Sequence, residues 1–174
     1  MDVFVRRAEP ADLDVVVSLI EAVFVELGPE RGGQAWLVSE ARPIPVRASV
    51  ERDLGEPDAT VHVSVAGIDA VVLGVAIGRI RKRHDGTPSA YLGELVVHPD
   101  ARGVGLGVAL LDDAIAWAEA VGAHVIESTA LPGQRATKNF FEAAGMKARL
   151  LTVSRSLRTN DPIDPSHDTQ AVDA

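Results

Sequence analysis

Apolar residues alternate with polar ones in several short stretches of the chain and recur at helical spacing in others. The alternating and β-branched runs predict strands over residues 3–6, 60–66, 70–80, 90–97, 124–129 and 148–154. Helical spacing predicts helices over residues 13–24, 108–120 and 137–144. A tight turn joins the second and third strands, which should form a hairpin. Strands interspersed with helices in this order are typical of an α/β domain.

Residues 28–59 are the hardest part of the chain to interpret. Gly28-Pro29, Gly32-Gly33 and Pro43-Ile44-Pro45 interrupt the periodicity. We predict one or two short helices between these breaks, over residues 34–41 and 45–54.

A glycine-rich turn follows the strand predicted over residues 90–97. It reads Arg102-Gly103-Val104-Gly105-Leu106-Gly107 and leads directly into the long helix. Glycines can adopt positive φ, which lets a ligand approach several backbone N–H groups at once. A helix that begins here directs its unpaired N–H groups and the positive end of its dipole at the turn. The turn is therefore predicted to bind a phosphate, with Arg102 adding a positive charge at its rim.

Three phosphate-binding turns compete for this pattern. A P-loop requires Lys-Ser or Lys-Thr after the last glycine, where Val108-Ala109 stand instead. A Rossmann turn requires Gly-x-Gly-x-x-Gly, which neither Gly103 nor Gly105 can start, although Glu127 lies at about the distance of a ribose-binding acid. A Rossmann-like nucleotide site and a merely structural glycine turn stay open as alternatives to the third option.

The third option fits every position of the turn. Arg-x-x-Gly-x-Gly, after a strand that ends in Val-x-Pro and before a long helix, resembles the acyl-CoA-binding motif of the GNAT superfamily of N-acyltransferases. Residues 140–146, an aromatic pair followed by Glu-x-x-Gly, are similar to a second GNAT segment. The resemblance covers residues 90–155. It implies one domain over residues 1–158, with a mixed central sheet of about six to seven strands flanked by helices, and a disordered tail over residues 159–174.

The resemblance also implies a reaction, the transfer of an acetyl group from acetyl-CoA to an amine by direct attack. The acceptor would be a small molecule or a protein amine, and the variable region 28–59 would shape its pocket. In the family the turn holds the pyrophosphate of coenzyme A, and the main-chain N–H of Val97 would polarise the thioester carbonyl. By this resemblance the residues that bind coenzyme A are Leu95, Val96, Val97, Arg102, Gly103, Val104, Gly105, Leu106, Gly107, Lys138 and Phe141.

Two carboxylates are candidates for the base that accepts a proton from the amine. Glu94 lies in the middle of an apolar strand, and Glu127 lies likewise in the strand after the long helix. Each has a plain alternative, because a strand carboxylate can also face solvent or pair with an arginine. His62 and His98 are single histidines of the kind that is more often structural.

Phe141 departs from the family pattern, which usually has a tyrosine there. In many GNAT enzymes that tyrosine is thought to protonate the departing thiolate, which a phenyl ring cannot do. A general acid contributes about 10²–10⁴-fold, but a thiol with a pKa of about 8.5 is already a tolerable leaving group. Ser128, Thr129 or Tyr91 could substitute, and a non-catalytic, acyl-CoA-binding regulatory protein is the alternative.

The composition of the chain limits the classes of protein and of binding partner that fit it. The chain has 174 residues, a formal charge of −8 and no cysteine, so disulfides and thiolate chemistry are excluded. The negative charge argues against nucleic-acid binding and favours a cationic or amine substrate. The sequence shows no signal peptide and no apolar run of about 18 residues, which predicts a cytoplasmic protein without membrane association. No metal is implied, and homodimers are common in such folds.

Overall fold

The computed structural model describes residues 2–155 and residue 157. The strands are β1 Val3–Arg7, β2 Val61–Ile68, β3 Val71–Lys82, β4 Pro88–Val97 and β5 Ile126–Ser128. The helices are α1 Leu13–Leu27, α2 Gly33–Ser39, α3 Val46–Gly55, α4 Leu106–Ala120 and α5 Arg135–Ala143. All five predicted helices are present, with ends shifted by at most three residues.

The strands form one sheet in the order β1-β2-β3-β4-β5. The first four strands pair antiparallel with their neighbours, and β5 pairs parallel to β4. The predicted hairpin is β2 and β3, joined at residues 69 and 70. The mixed α/β sheet is thus confirmed, with five strands in the described residues rather than six to seven.

The predicted strand over residues 148–154 does not form. No strand includes these residues, and Leu150, Leu151 and Val153 are almost fully exposed. The sequence has the β-forming residues, but a strand needs a neighbour that satisfies its backbone N–H and C=O groups. The neighbouring prediction over residues 124–129 was too long for a related reason, because β5 pairs with β4 at only three positions.

The two faces of the sheet bury different kinds of side chain. One face presents β-branched residues of β2 and β3, which pack against α1 and α3 around Ile20 and Val50. The other face presents small residues, and α4 lies against β2, β3 and β4 there. A Cβ at Gly78 would come within 2.7 Å of Cζ3 of Trp117. The missing side chain therefore lets α4 approach the sheet closely enough to bury its apolar stripe.

Two compact units can be distinguished in the chain. The first contains the residues up to Phe24 together with Arg42–Thr129, and it holds the whole sheet, α3 and α4. The second contains Val25–Ala41 and the described residues from Ala130 onwards, including α2 and α5. The predicted tail over residues 159–174 lies outside the described residues, and the domain boundary at residue 158 stays a prediction. No helix in the described part is both long and apolar enough to cross a bilayer.

Candidate active site

β4 changes its partners half-way along its length. Its parallel pairing with β5 covers residues 90–92 and stops there. At the next residue, Gly93, the register with β3 shifts, since Leu92 faces Gly78 whereas Glu94 faces Ile77. Gly93 is therefore the extra residue of a β-bulge, a feature that bends a strand and re-aims its side chains. Beyond the bulge, the β5 side of residues 94–97 has no strand partner among the described residues.

The backbone groups on this open side can be assigned from the ladder. Antiparallel pairs alternate between hydrogen-bonded and non-hydrogen-bonded positions. The N–H of His98 donates to the carbonyl of Leu73 at 2.7 Å, so the alternation points the N–H groups of Leu95 and Val97 away from β3. Arg102 Nε donates to the carbonyl of Val97 at 3.2 Å, which fits the same orientation. The end of β4 thus offers strand-like backbone groups to a ligand.

The glycine turn lies directly after this open edge. Gly103 and Gly105 have φ of 83° and 94°, a region that side-chain-bearing residues rarely adopt, and a Cβ at either would meet nothing within 4 Å. Gly105 is the N-cap of α4, so the N–H groups of residues 106–108 lack intrahelical acceptors. The first intrahelical bond runs from Ala109 to the carbonyl of Gly105, at 3.0 Å. The turn therefore combines open space, free N–H donors and a positive helix end, which suits a phosphate group.

The structure corrects one detail of this turn. Gly107 was grouped with the positive-φ glycines, but it lies in the first turn of α4 and does not have positive φ. It contributes a helix N–H rather than a bend.

The other residues predicted to bind coenzyme A differ in what they can offer. Arg102 and Val104 are exposed, whereas the side chains of Val96 and Leu106 are buried in the interior. The last two can contribute only main-chain atoms to a ligand. Leu95 is half-buried on the open strand.

Glu94 lies on the open strand directly after the bulge and is ion-paired. Its Oε1 accepts a hydrogen bond from Nε of Arg42 at 2.8 Å, and its side chain is 15% exposed. Glu127, by contrast, is exposed on β5, opposite Tyr91 of β4. No hydrogen bond joins Glu94 to Glu127 among the described residues. The structure therefore places the two candidate bases on adjacent strands, but in different surroundings.

Three charged residues around Glu94 were missed by the sequence analysis: Arg42, Asp53 and Arg79. Arg42 Nη1 donates to Oδ2 of Asp53 at 2.5 Å. Arg79 donates to both oxygens of Asp53, at 2.8 and 2.5 Å. Burial alone would raise the pKa of Asp53, but the hydrogen bonds and charges of Arg79 and Arg42 outweigh burial and lower that pKa below its usual value. We call these three residues and Glu94 the Arg42 cluster.

One of the three left a signal in the sequence. Asp53 follows Val46 and Val50 at helical spacing, so it lies on the buried stripe of α3, where a carboxylate requires partners. The sequence could not identify Arg42 and Arg79 as the partners of Asp53, because their pairing depends on how the segment before α3 folds onto β3.

The hydroxyl groups proposed as substitute acids are already engaged. Tyr91 Oη lies 3.2 Å from Oγ1 of Thr129, and the guanidinium of Arg81 stacks over the Tyr91 ring at 3.5 Å. Ser128 Oγ donates to the carbonyl of Leu92 at 2.8 Å, where it secures the last paired position of β4 and β5.

Lys138 and Phe141 lie on α5, in the second unit. Lys138 pairs with Glu142 one turn later at 2.7 Å, and the Phe141 ring meets Phe140 edge to face. Their predicted contacts with coenzyme A stay predictions.

Both histidines have structural partners. His62 lies between Asp58 and Asp113, at 2.7 and 2.8 Å, and stacks on Trp117. His98 Nδ1 accepts a bond from the N–H of Asp100 at 3.3 Å, in the short 3₁₀ turn before Arg102.

Comparisons with known proteins identify the family of the chain. The sequence matches the model of the Acetyltransferase (GNAT) family over residues 26–146, which is more than half of its length. The chain therefore belongs to the GNAT acetyltransferase family. No curated protein matches it at a significant level of similarity.

Several solved structures share the fold. AAC(6')-Iy, in complex with the bisubstrate analogue CoA-S-monomethyl-acetylneamine, is 19% identical, with a TM-score of 0.70 over 91% of this chain and 99% of that one. Glucosamine-6-phosphate N-acetyltransferase from Arabidopsis thaliana is 15% identical, with a TM-score of 0.61 over 91% and 100%. A transcriptional regulator from Bacillus halodurans C-125 is 21% identical, with a TM-score of 0.67 over 89% and 99%. At these identities the similarity shows the fold alone.

Proposed function

We propose that this protein transfers an acetyl group from acetyl-CoA to an amine. The observation that carries the proposal is the presence, close together along the chain, of two sets of backbone N–H groups without strand or helix acceptors, one at the open edge of β4 and one at the start of α4. An extended ligand with amide groups at one end and a diphosphate at the other would satisfy both sets. The pantetheine arm and pyrophosphate of coenzyme A have that arrangement.

Each predicted residue then has a defined task. The N–H groups at the start of α4 and the charge of Arg102 would hold the pyrophosphate. The edge N–H and C=O of Leu95 would bind a pantetheine amide, and the N–H of Val97 would be left for the thioester. The backbone of Val96 pairs with β3 and so holds this part of the strand in place. For Lys138 and Phe141 of α5, contacts with coenzyme A are expected from the family resemblance alone.

The chemistry needs one bond to form and one to break. The amine nitrogen attacks the thioester carbon, the new C–N bond forms, and the C–S bond breaks to release the thiolate. The proton lost by the nitrogen passes to a base and ends on the thiolate or in solvent. The N–H of Val97 would donate to the thioester oxygen as it gains charge.

Glu94 is our first candidate for the base and Glu127 the second. Glu94 lies on the same open strand as Val97, whose N–H would polarise the thioester, and Glu127 lies exposed on the neighbouring strand. Replacing the base by glutamine should lower the rate at neutral pH, with recovery at high pH as the amine loses its own proton. We expect this profile for Glu94→Gln, and a flat loss across pH for either variant would count against a base role.

The proposed acceptor is a cationic amine, either a small molecule or a protein amine. Support comes from the formal charge of −8, which attracts cations. The fold neighbours include an enzyme named for glucosamine 6-phosphate and a complex with an acetylneamine analogue. Cytoplasmic location and a homodimer stay predictions.

A non-catalytic, acyl-CoA-binding regulatory role is the second candidate, and Phe141 favours it, because a phenyl ring cannot protonate the leaving thiolate. A thiol-release assay with acetyl-CoA and pooled amines separates the two functions. Thiol release that depends on an added amine would support the acetyltransferase. Binding of acetyl-CoA without release, across polyamines, aminoglycosides, amino acids and peptides, would support the regulator.

A further inference from the structure

Arg42 is an unusual residue to find inside this protein. It lies in the segment of the chain that links α2 to α3, and only 3% of its side chain is exposed. Its Nε donates to Glu94, and its Nη1 donates to Asp53. Its third nitrogen, Nη2, is buried and has no hydrogen-bond partner among the described residues. A buried guanidinium with an unpaired donor costs free energy.

Stability of the fold does not account for this cost. Apolar side chains of similar volume often replace a buried ion pair without loss of stability. Arg42 adds a charge and a hydrogen bond to Asp53, but both oxygens of Asp53 also accept hydrogen bonds from the fork of Arg79. The contact of Arg42 that nothing else supplies is the one to Glu94.

The geometry of that contact fixes the carboxylate. An arginine Nε has one N–H in the plane of the guanidinium, so its hydrogen bond sets both the position and the direction of Oε1. The plane is itself fixed by Nη1 on Asp53, which Arg79 holds from β3. The other oxygen of Glu94, Oε2, accepts no hydrogen bond from the described residues, and the side chain retains a small exposed area.

We propose that Arg42 is a positioning residue that clamps one oxygen of Glu94 and leaves the other to face the acceptor amine. This inference rests on the proposed acetyl transfer, with Glu94 as its base. Arg42 acts only through Glu94, and Asp53 and Arg79 form the rigid support behind it. The two positive and two negative charges of the Arg42 cluster cancel. The free oxygen would therefore bind the amine through the direction of its hydrogen bond and not through a net negative charge.

The test is a set of double variants with steady-state kinetics. Arg42→Gln and Arg42→Met remove the clamp, and Arg42→Lys keeps the charge without the fixed N–H. Each should lower kcat by about 10- to 100-fold, which reaches only the lower end of the roughly 10²–10⁴-fold that a positioned general base contributes, with Arg42→Lys the least affected. The KM for acetyl-CoA should stay within about twofold, because a positioning residue for the base acts on the chemical step. In a Glu94→Gln background the same changes should cost less than about twofold.

Arg6 provides a matched control on β1. It pairs with Asp12 and belongs neither to the Arg42 cluster nor to the segment expected to shape the acceptor pocket. Arg6→Gln should leave kcat and KM unchanged in both backgrounds.

The possible outcomes separate this inference from the function on which it rests. Equal losses from the Arg42 variants with and without Glu94 would overturn the positioning role while acetyl transfer stands. If thermal melting shows that all three Arg42 variants are unfolded, the positioning role is also overturned, since the residue would then serve the fold. A wild-type protein that neither binds acetyl-CoA nor releases thiol would overturn both proposals.

Discussion

Val97 shows how much of the proposed chemistry depends on main-chain atoms. Its N–H points away from β3, so proline at this position removes that donor without breaking a ladder bond. We expect Val97→Pro to lower kcat by about 10²–10³-fold, the usual loss of one preorganised oxyanion donor. Val97→Ala, which keeps the N–H, should stay near wild type. Wild-type kcat in a folded Val97→Pro protein would exclude this N–H from catalysis.

The ion pairs of His62 should make the free energy of unfolding depend on pH. Burial alone would lower the pKa of His62, but the hydrogen bonds and charges of Asp113 and Asp58 outweigh burial and raise that pKa above 6.5. Asp58 is itself paired with Arg7 of β1. A raised folded-state pKa means that the stabilisation is fully present below about pH 6.5 and is lost as pH rises through the higher folded value.

This dependence can be measured by urea unfolding between pH 5.5 and 9. The wild-type protein should lose about 1.4 kcal/mol for each unit by which the folded pKa exceeds the unfolded one. His62→Gln should be less stable at pH 5.5 and should lack this loss. His84→Gln, in the exposed loop between β3 and β4, should behave as wild type. Parallel pH curves for wild type and His62→Gln would contradict the ion-pair account.

At the scale of elements, the glycine turn and the start of α4 should act as one anion site. Aspartate and asparagine both tolerate positive φ and have the same shape, so Gly105→Asp and Gly105→Asn differ mainly in charge. The aspartate variant should lose roughly 10- to 100-fold more affinity for acetyl-CoA than the asparagine variant. This difference corresponds to the free energy of about one charge-assisted hydrogen bond. Isothermal titration of both variants measures the difference.

Gly122 serves as the control for this pair. It has φ of 79° after the other end of α4, and a Cβ there would also meet nothing. Gly122→Asp should therefore bind acetyl-CoA as wild type does. Equal affinities of the two Gly105 variants would show that no anion is held at the turn.

The packing of α4 on the sheet depends on the missing side chain at Gly78. A Cβ there would lie 2.7 Å from Cζ3 of Trp117, closer than side-chain contacts allow. We expect Gly78→Ala to destabilise the protein by about 1–3 kcal/mol through overpacking, measured by thermal or urea unfolding. Gly55→Ala, where a Cβ meets nothing within 4 Å, is the matched control. An unchanged unfolding midpoint in Gly78→Ala would mean that α4 can move away at no cost.

At the scale of the whole molecule, periodicity predicted the α/β fold, the hairpin, α1, α4 and α5, and the glycines and prolines that interrupt it delimited α2 and α3. Periodicity was insufficient for residues 148–154, which have strand composition but no strand to pair with in the part of the chain that the structure describes. The conformation of the glycine turn could be predicted because it is local, set by glycines and the start of one helix.

The Arg42 cluster could not be predicted in the same way. Its residues come from a loop, a helix and two strands, separated by as many as 52 positions in the sequence. A carboxylate in a strand indicates that a partner or a function exists, but only the packing of the chain decides which arginine reaches it.

The most direct test of the central claim is calorimetric titration of acetyl-CoA into the purified full-length chain, with NAD as the comparison ligand. The open edge of β4 and the glycine turn predict saturable binding of acetyl-CoA at one site per chain and no binding of NAD. Failure to bind acetyl-CoA, or preferential binding of NAD, would contradict the assignment of this edge and turn to coenzyme A.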